Sequence, residues 1–431
     1  MQRSIIAPAE RVTNLRWGIA LLVGFGVLVS ALDQVSVAVS GGNLMRTFGL
    51  TDVGLGYLLS AYGWGYATAM IPFGMLLDRF GVARTGQWWS LAWSLVALLT
   101  AFATSFGLLL TGRAVQGVAR AAALPTSSKA TGYWFPVNER STGTAIFDAG
   151  AKLAMAIGIP LMAYVMITYS WRATFLASGV LGLIFFAAWT CLYRDPAEHT
   201  GLTYAEKQHL ARGGAQDEGP NDGINAFAVP KVWGLVLGFF AYSFALFVLV
   251  TWLPSYLIRT SSLTVFTSAT AAAIPWIVAA IADVLIGGML VDALIKRGMD
   301  ATNVRRGVLI IGMLLGLSIF GAAHAQTSGA AIACIAIALA GLGISGPVAW
   351  SLPSLIAPRG TVGTVTAMMG CAGALGAIAA PIAAGYIVNA TTGFTNVFLM
   401  AAMVLAVGIL SYVFLLGRIE APETIDGGIV I

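Results

Sequence analysis

Charge is what this chain has least of. Only 10% of its 431 residues are Asp, Glu, Lys or Arg, while 58% are apolar; a soluble domain carries about a quarter charged residues. With a mean hydropathy of +0.86, this excludes a soluble core with one anchor and leaves a polytopic membrane protein, whose first partner is the lipid bilayer. Cysteine is scarce too. Cys191, Cys334 and Cys371 all lie inside apolar stretches, so neither a disulfide framework nor a zinc spacing is present. His199, His209 and His324 are too scattered for a metal or catalytic site. The chain lacks a Gly-rich phosphate loop, which argues against an ATP-driven pump. It also lacks a nucleophile–base arrangement. An enzyme is therefore not expected, and neither is a cofactor or a metal. The net charge of +5 is spread over loops, which excludes nucleic acid as a partner.

What is present is a series of apolar runs of about 20 residues, the length that crosses a bilayer as helix. They fall near 17–39, 54–77, 86–106, 108–134, 142–167 and 172–193, then near 232–258, 266–295, 305–325, 329–354, 362–389 and 394–417. Backbone satisfaction in lipid makes these helices, since a barrel would show short alternating segments. The fold class expected is thus all-α and integral to the membrane, with twelve transmembrane helices in two pseudo-symmetric six-helix bundles. The bundles are 1–193 and 232–431, joined by a polar linker, 194–231, with a short amphipathic helix around Thr203–Ala211. The first run is too long for a signal-peptide core and reads as a retained span. Basic residues crowd the loops on one side of this arrangement, among them Arg79, Arg84, Arg140, Arg194, Lys231, Lys296, Arg305 and Arg306. The other side holds Arg46, Arg172 and Arg259. The bias places both termini in the cytoplasm, in a cell membrane of the bacterial inner-membrane type. A monomer is expected.

The halves echo one another. Gly74-Met75-Leu76-Leu77-Asp78 returns as Gly288-Met289-Leu290-Val291-Asp292, Gly143-Thr144 as Gly363-Thr364, and Pro160 as Pro381. Duplicated six-helix units are the build of many secondary transporters, with substrate bound at mid-membrane between the halves. Helices rich in small residues, clearest around Gly363, Gly370, Gly373 and Gly376, permit close approach and rocking.

Within this apolar background a few charges stand out. Arg113 and Arg120 lie seven residues apart in one span. At ~100° and ~1.5 Å per residue they share a helix face, about 10 Å apart. A charge in hydrocarbon costs at least ~2.5–3.5 kcal/mol, so these guanidiniums need protein, water or a ligand to receive them. Two facing one cavity suit an anion; the structural alternative is that each pairs with a neighbouring carboxylate. The other intramembrane charges are Lys129, Lys152, Asp33, Asp148 and Asp283. Asp148 and Lys152 stand at i,i+4 in the favourable order for a pair, and Lys129 reads as snorkelling to the cytoplasmic end. Asp283 stands alone and must be protonated or paired across the cavity. Asp33 is the first choice for a proton-coupling carboxylate, with Asp148 and Asp283 behind it. Aromatic residues at the expected cavity wall are Tyr62, Trp64 and Tyr66 in the second span, Tyr242, Trp252 and Tyr256 in the seventh, and Trp276 in the eighth. Of these, Tyr62, Tyr66, Trp252 and Tyr256 join Arg113 and Arg120 as candidate substrate ligands.

Gly74-Met75-Leu76-Leu77-Asp78-Arg79-Phe80-Gly81-Val82-Ala83-Arg84 resembles the loop motif between helices 2 and 3 of the major facilitator superfamily, and Arg113-Ala114-Val115-Gln116-Gly117 its helix 4 motif. Finer features are similar to its anion:cation symporter branch, whose members carry organic anions. These are Trp134-Phe135-Pro136 with Glu139-Arg140, Trp171-Arg172-Ala173-Thr174-Phe175, Asp195-Pro196 with Glu198-His199 and Glu206, and Thr251-Trp252-Leu253-Pro254-Ser255-Tyr256-Leu257. The resemblance implies a cytoplasmic charge latch and gate involving Gly74, Asp78, Arg79, Gly81 and Arg84, with Asp292 their repeat. It implies that Arg113 and Tyr66 contact substrate. It also implies proton coupling through a helix 1 aspartate, here Asp33, and a helix 4 glutamate. The chain departs from the pattern twice: Gln34 follows Asp33 where the branch has arginine, and Arg120 stands where it has that glutamate. The function expected is uptake of a small organic anion, a carboxylate, together with protons, by alternating access. The rivals are a sulfonate or phosphate-ester carrier, an anion exchanger, a drug exporter and a membrane sensor that binds without transport.

Overall fold

A computed structural model describes residues 14–50, 52–215, 224–260, 275–325, 327–391, 395–420, 423–425 and 428–430. Before the linker run α1 (Leu15–Phe48), α2 (Asp52–Thr100), α3 (Phe106–Arg120), α4 (Ala123–Trp134), α5 (Arg140–Thr168) and α6 (Trp171–Leu192). The linker holds α7 (Tyr204–Arg212), started by the Thr203 side chain accepting from the Glu206 N–H, as its polar sequence predicts. After it come α8 (Pro230–Thr260), α9 (Pro275–Lys296), α10 (Ala301–Gly316), α11 (Ile319–Ala323), α12 (Ser328–Ser351), α13 (Pro353–Ile356), α14 (Val362–Thr391) and α15 (Thr395–Phe414). A short antiparallel pair, Glu423–Ile425 with Gly428–Val430, is the one departure from an all-helical chain among the described residues. Among the described residues, eight helical runs are long and apolar enough to cross a membrane by length and composition.

The differences from the expected spans have local causes. The second and third spans form the single run α2, bent at Gly81, whose φ of +79° is a conformation only glycine adopts at little cost. The fourth span is cut in two after Arg120. In an unbroken helix the Pro125 ring would strike the carbonyl of Ala121, so the chain turns at Ala121–Ala122 and restarts as α4. The tenth span breaks likewise between α12 and Pro353 at the start of α13. Inside α9 the turns widen to π geometry over Asp283–Leu290, around the pair Gly287-Gly288.

Small residues bring particular helices together. A Cβ at Gly24 would lie 3.0 Å from the Ile146 carbonyl, and one at Gly150 would lie 2.6 Å from the Gly24 carbonyl, so α1 and α5 touch backbone to backbone. Gly65 and Gly117 do the same for α2 and α3, where added Cβ atoms would sit 2.1 Å from the Ala114 and Tyr62 carbonyls. That second contact brings the aromatic residues of α2 against the arginines of α3.

Candidate functional site

Asp33 on α1, Arg113 and Gln116 on α3 form a closed buried cluster. Arg113 donates to Asp33 Oδ2 at 2.7 Å and to Gln116 Oε1 at 2.8 Å, and Gln116 donates to Asp33 Oδ1 at 3.2 Å. The Arg113 guanidinium also lies 5.0 Å from the Tyr62 ring centre. Arg120 is different. It donates to Tyr62 Oη at 2.8 Å and lies 6.0 Å from the same ring, but it meets no carboxylate among the described residues, and its Nε has no partner there. Tyr66 stacks on Tyr62 at 6.0 Å. Both arginines therefore share one aromatic platform, as their spacing predicts. Arg113 is already neutralised by an acid; Arg120, only 7% exposed, keeps a net positive charge inside the span.

A second cluster joins the two halves at mid-span. Lys152 donates to Asp148 Oδ2 at 2.7 Å, the i,i+4 pair read from sequence, and also to Asp283 Oδ2 on α9 at 2.6 Å. Asp283 is thus paired across the halves. A Cβ at Gly346 of α12 would lie 2.3 Å from Asp148 Oδ2 and 3.1 Å from Tyr242 Oη, so Gly346 leaves room for this cluster. Nothing in the sequence singled out Gly346. Gln116 had a signal: it lies three residues after Arg113, on the same helix face.

At the linker end the halves hold each other by reciprocal caps. Asp78 accepts from the Gly363 and Thr364 N–H groups at the start of α14, at 2.7 and 2.8 Å, and from Thr364 Oγ1. Asp292 accepts from the Ser141 and Thr142 N–H groups at the start of α5, at 3.2 and 2.7 Å. Carboxylates at helix N-termini are favourably placed in both cases. Gly74 and Gly288 make room for these contacts: a Cβ would come within 2.6 Å of the Gly363 carbonyl at the first, and within 2.8 Å of Ala145 Cβ at the second. Two expectations are corrected here. Asp78 is met by Lys129 at 2.8 Å, not by the basic residues of its own loop. Lys129 accordingly does not snorkel; it is 1% exposed, held by that carboxylate. Arg79 lies over the Phe80 ring, and Arg84 lines a surface cleft with Phe80, Gln87, Arg194, Asp195 and Glu198.

The same end carries a third link. Glu139 accepts from Arg16 at 2.9 Å and from Lys296 at 3.0 Å, and Arg16 also reaches Glu206 of α7 at 3.2 Å. Burial pushes the Glu139 carboxyl up, but the hydrogen bonds from Lys296 and Arg16 outweigh it and hold the group below its ordinary range. At Glu206 burial wins over Arg16 and the carboxyl is raised. Arg140 donates to the carbonyls of Ser354, Gly132, Phe135 and Gly214, and Arg305 to that of Val137 at 2.5 Å.

The remaining candidates separate. Trp252 and Tyr256 lie in α8, but their side chains are outside the described residues. Trp64 is 53% exposed and turns away from the arginines its neighbours Tyr62 and Tyr66 face. The Gly-Thr echo is two residues out of structural register: Ser141 and Thr142, not Gly143 and Thr144, stand where Gly363 and Thr364 stand.

A family model described as Major Facilitator Superfamily matches residues 23–381. An uncharacterized transporter of Bacillus subtilis, YybO, is 35% identical over 95% of this chain and 96% of its own length. A D-galactonate transporter of Escherichia coli is 28% identical over 93% of this chain and 95% of its own. Among solved structures, the proton:xylose symporter XylE bound to 6-bromo-6-deoxy-D-glucose superposes with a TM-score of 0.76, covering 95% of this chain and 98% of that one at 15% identity.

Proposed function

This chain belongs to the Major Facilitator Superfamily and is a multi-pass membrane transporter, and on that premise we propose that it takes up a small organic anion, a carboxylate of the sugar-acid kind, together with protons, by alternating access. The observation that carries the reading is Arg120. It is a buried guanidinium at mid-span with a tyrosine hydroxyl as its partner and no described carboxylate beside it. Leaving such a charge without a counterion is costly; an entering carboxylate removes the cost through charge-assisted hydrogen bonds. Tyr62 and Tyr66 beside it offer hydroxyls to a polyol acid. The D-galactonate transporter among the relatives points to the same chemical class.

Coupling follows from energetics. A negative-inside potential opposes entry of a monoanion by ~2.3 kcal/mol per 100 mV. One accompanying proton cancels that and adds the pH gradient. We place both termini and the linker in the cytoplasm on the basic-residue bias, so the reciprocal caps form the inner gate, closed here. The test is uptake of D-galactonate into proteoliposomes under an imposed pH gradient, acid outside. Accumulation above equilibrium that collapses with the gradient is the expected result. No flux of any sugar acid refutes the cargo. Counterflow that ignores the gradient leaves an anion exchanger in place of a symporter.

A further inference from the structure

We propose that the Lys152–Asp148–Asp283 cluster is the site that binds the coupling proton, and that Lys152 acts as a movable counterion shared between the halves. The inference rests on the transport reading above and names the proton's place in it.

The cluster has two carboxylates and one ammonium, with Lys152 Nζ at 2.7 Å from Asp148 and 2.6 Å from Asp283. Lys152 and Asp283 are 5% and 0% exposed. Asp283 Oδ1 has no hydrogen-bond partner among the described residues, so this buried carboxylate has a vacant acceptor. The titratable groups that face one another here are Asp148 and Lys152 from α5, Asp283 from α9 and Tyr242 from α8; α12 contributes the close backbone at Gly346.

The partners differ in how they are joined. Asp148 and Lys152 are one turn apart on the same helix, so their bond survives any rigid-body movement of the halves. The Lys152–Asp283 bond crosses from one half to the other and breaks when α5 and α9 part. Lys152 then keeps Asp148 as a neutral pair. A proton that reaches the vacant Asp283 Oδ1 from the outer side while the inner gate is closed neutralises the carboxylate, loosens its bond to Lys152 and lets α5 and α9 part. In the inward-open state cytoplasmic water hydrates Asp283, and the carboxyl gives the proton up to it. When the halves rejoin, the Lys152 ammonium pairs again with the ionised Asp283. Proton affinity at Asp283 is thereby tied to the conformational state, which is what linkage between a proton and an access change requires. The π turns that begin at Asp283 lie where such local irregularity is found at functional positions. Asp33 is less suited to this part, since its hydrogen-bond partners among the described residues, Arg113 and Gln116, belong to its own half and stay with it through a rigid-body movement.

The test has two arms. In infrared difference spectra of purified full-length protein stepped across pH without substrate, a protonated-carboxyl band is expected that disappears in Asp283→Asn and returns, shifted, in Asp283→Glu. A band that persists in Asp283→Asn, or one lost instead in Asp33→Asn, overturns the proposal. In proteoliposomes with D-galactonate as probe, Asp283→Asn is expected to lose gradient-driven accumulation by tenfold or more, and to lose counterflow far less. Equal losses of both in a protein whose Asp283→Glu form is equally inactive overturn the proposal, because they mark a structural bridge. If the unaltered protein gives no counterflow of D-galactonate or any other sugar acid, the cargo reading fails, and the infrared arm still decides the proton site.

Discussion

Replacing Arg120 and Arg113 separately by glutamine should have opposite balances of effect on binding and on stability. Arg120→Gln removes a guanidinium whose hydrogen-bond partner among the described residues is Tyr62 Oη. The hydroxyl is left without a donor, a loss of about 1 kcal/mol, and no described carboxylate is stranded. Arg113→Gln strands Asp33, which is fully buried and among the described residues keeps Gln116 at 3.2 Å. Breaking one side of a buried pair costs about 3–5 kcal/mol. For the anion the ranking reverses. A charge-assisted hydrogen bond contributes about 1.5–3 kcal/mol, so loss of Arg120 should weaken D-galactonate binding by about ten- to a hundredfold. The assay is a melting curve in detergent for each variant, with substrate binding by titration calorimetry on those that fold. The double variant Arg113→Gln with Asp33→Asn, which removes both charges, should recover most of the lost stability. An Arg120→Gln protein that binds the anion within twofold of the unaltered one would show that the uncompensated guanidinium is not the cargo subsite.

Gly346→Ala would put a Cβ 2.3 Å from Asp148 Oδ2. The carboxylate must swing off Lys152, at a cost of about 1–3 kcal/mol, read as a lowered melting temperature; an unchanged one means α12 can retreat. Asp78→Asn should destabilise more than Asp292→Asn. Both weaken a charged helix cap by about 0.3–2 kcal/mol, but only the first also takes the carboxylate from buried Lys129; equal losses in denaturant unfolding would refute the assignment of Lys129 to Asp78. Glu139 has a carboxyl held below its ordinary range, chiefly against burial, by Lys296 and Arg16. Its contribution is therefore full above the ordinary value and is lost as pH falls through the lowered one. Glu206, with a raised carboxyl, has the opposite sign, so the measurement belongs in a Glu206→Gln background. There, acid should lower the melting temperature, and adding Glu139→Gln should flatten that slope.

Apolar length was enough to read the helices, because span length follows from bilayer thickness and leaves little freedom. The breaks were harder. Pro125 was in plain view, but it lies one turn past Arg120, and an apolar run gives no reason to end a helix between them. That Arg113 and Arg120 share a face was legible from helical spacing alone, since seven residues return to one face whether or not the helix stops just after, but that Tyr62 lies under both was not. Lys129 was misread for a definable reason: position along a helix says how near a lysine is to the membrane surface, not whether a carboxylate from another helix waits for it. The same gap hid the Asp283 contact. An aspartate alone in its half has no partner in sequence, and only packing of α9 on α5 supplies Lys152.

The contacts that join the halves fall into two kinds, and the difference constrains how cargo can drive movement. At the linker end each half lends the other an aspartate cap, so parting the halves there would require breaking both caps together. At mid-span there is no such reciprocity. Asp33, Arg113, Arg120, Tyr62 and Tyr66 all belong to the first half. A ligand shifts a conformational equilibrium only through contacts that differ between the states, and an anion touching those five residues alone would bind both states equally well. It must also reach the second half. Among the described residues α14 of that half reaches the platform, where Cys371 donates to the Ala67 carbonyl at 3.5 Å and packs in one cluster with Tyr66 and Met70. Cargo that bridges Arg120 to the α14 face near Cys371 would be gripped when the halves are together there and released when they part. On the proposal above, the Asp283–Lys152 bond breaks in that same movement, and anion and proton would be sensed by separate contacts across one seam.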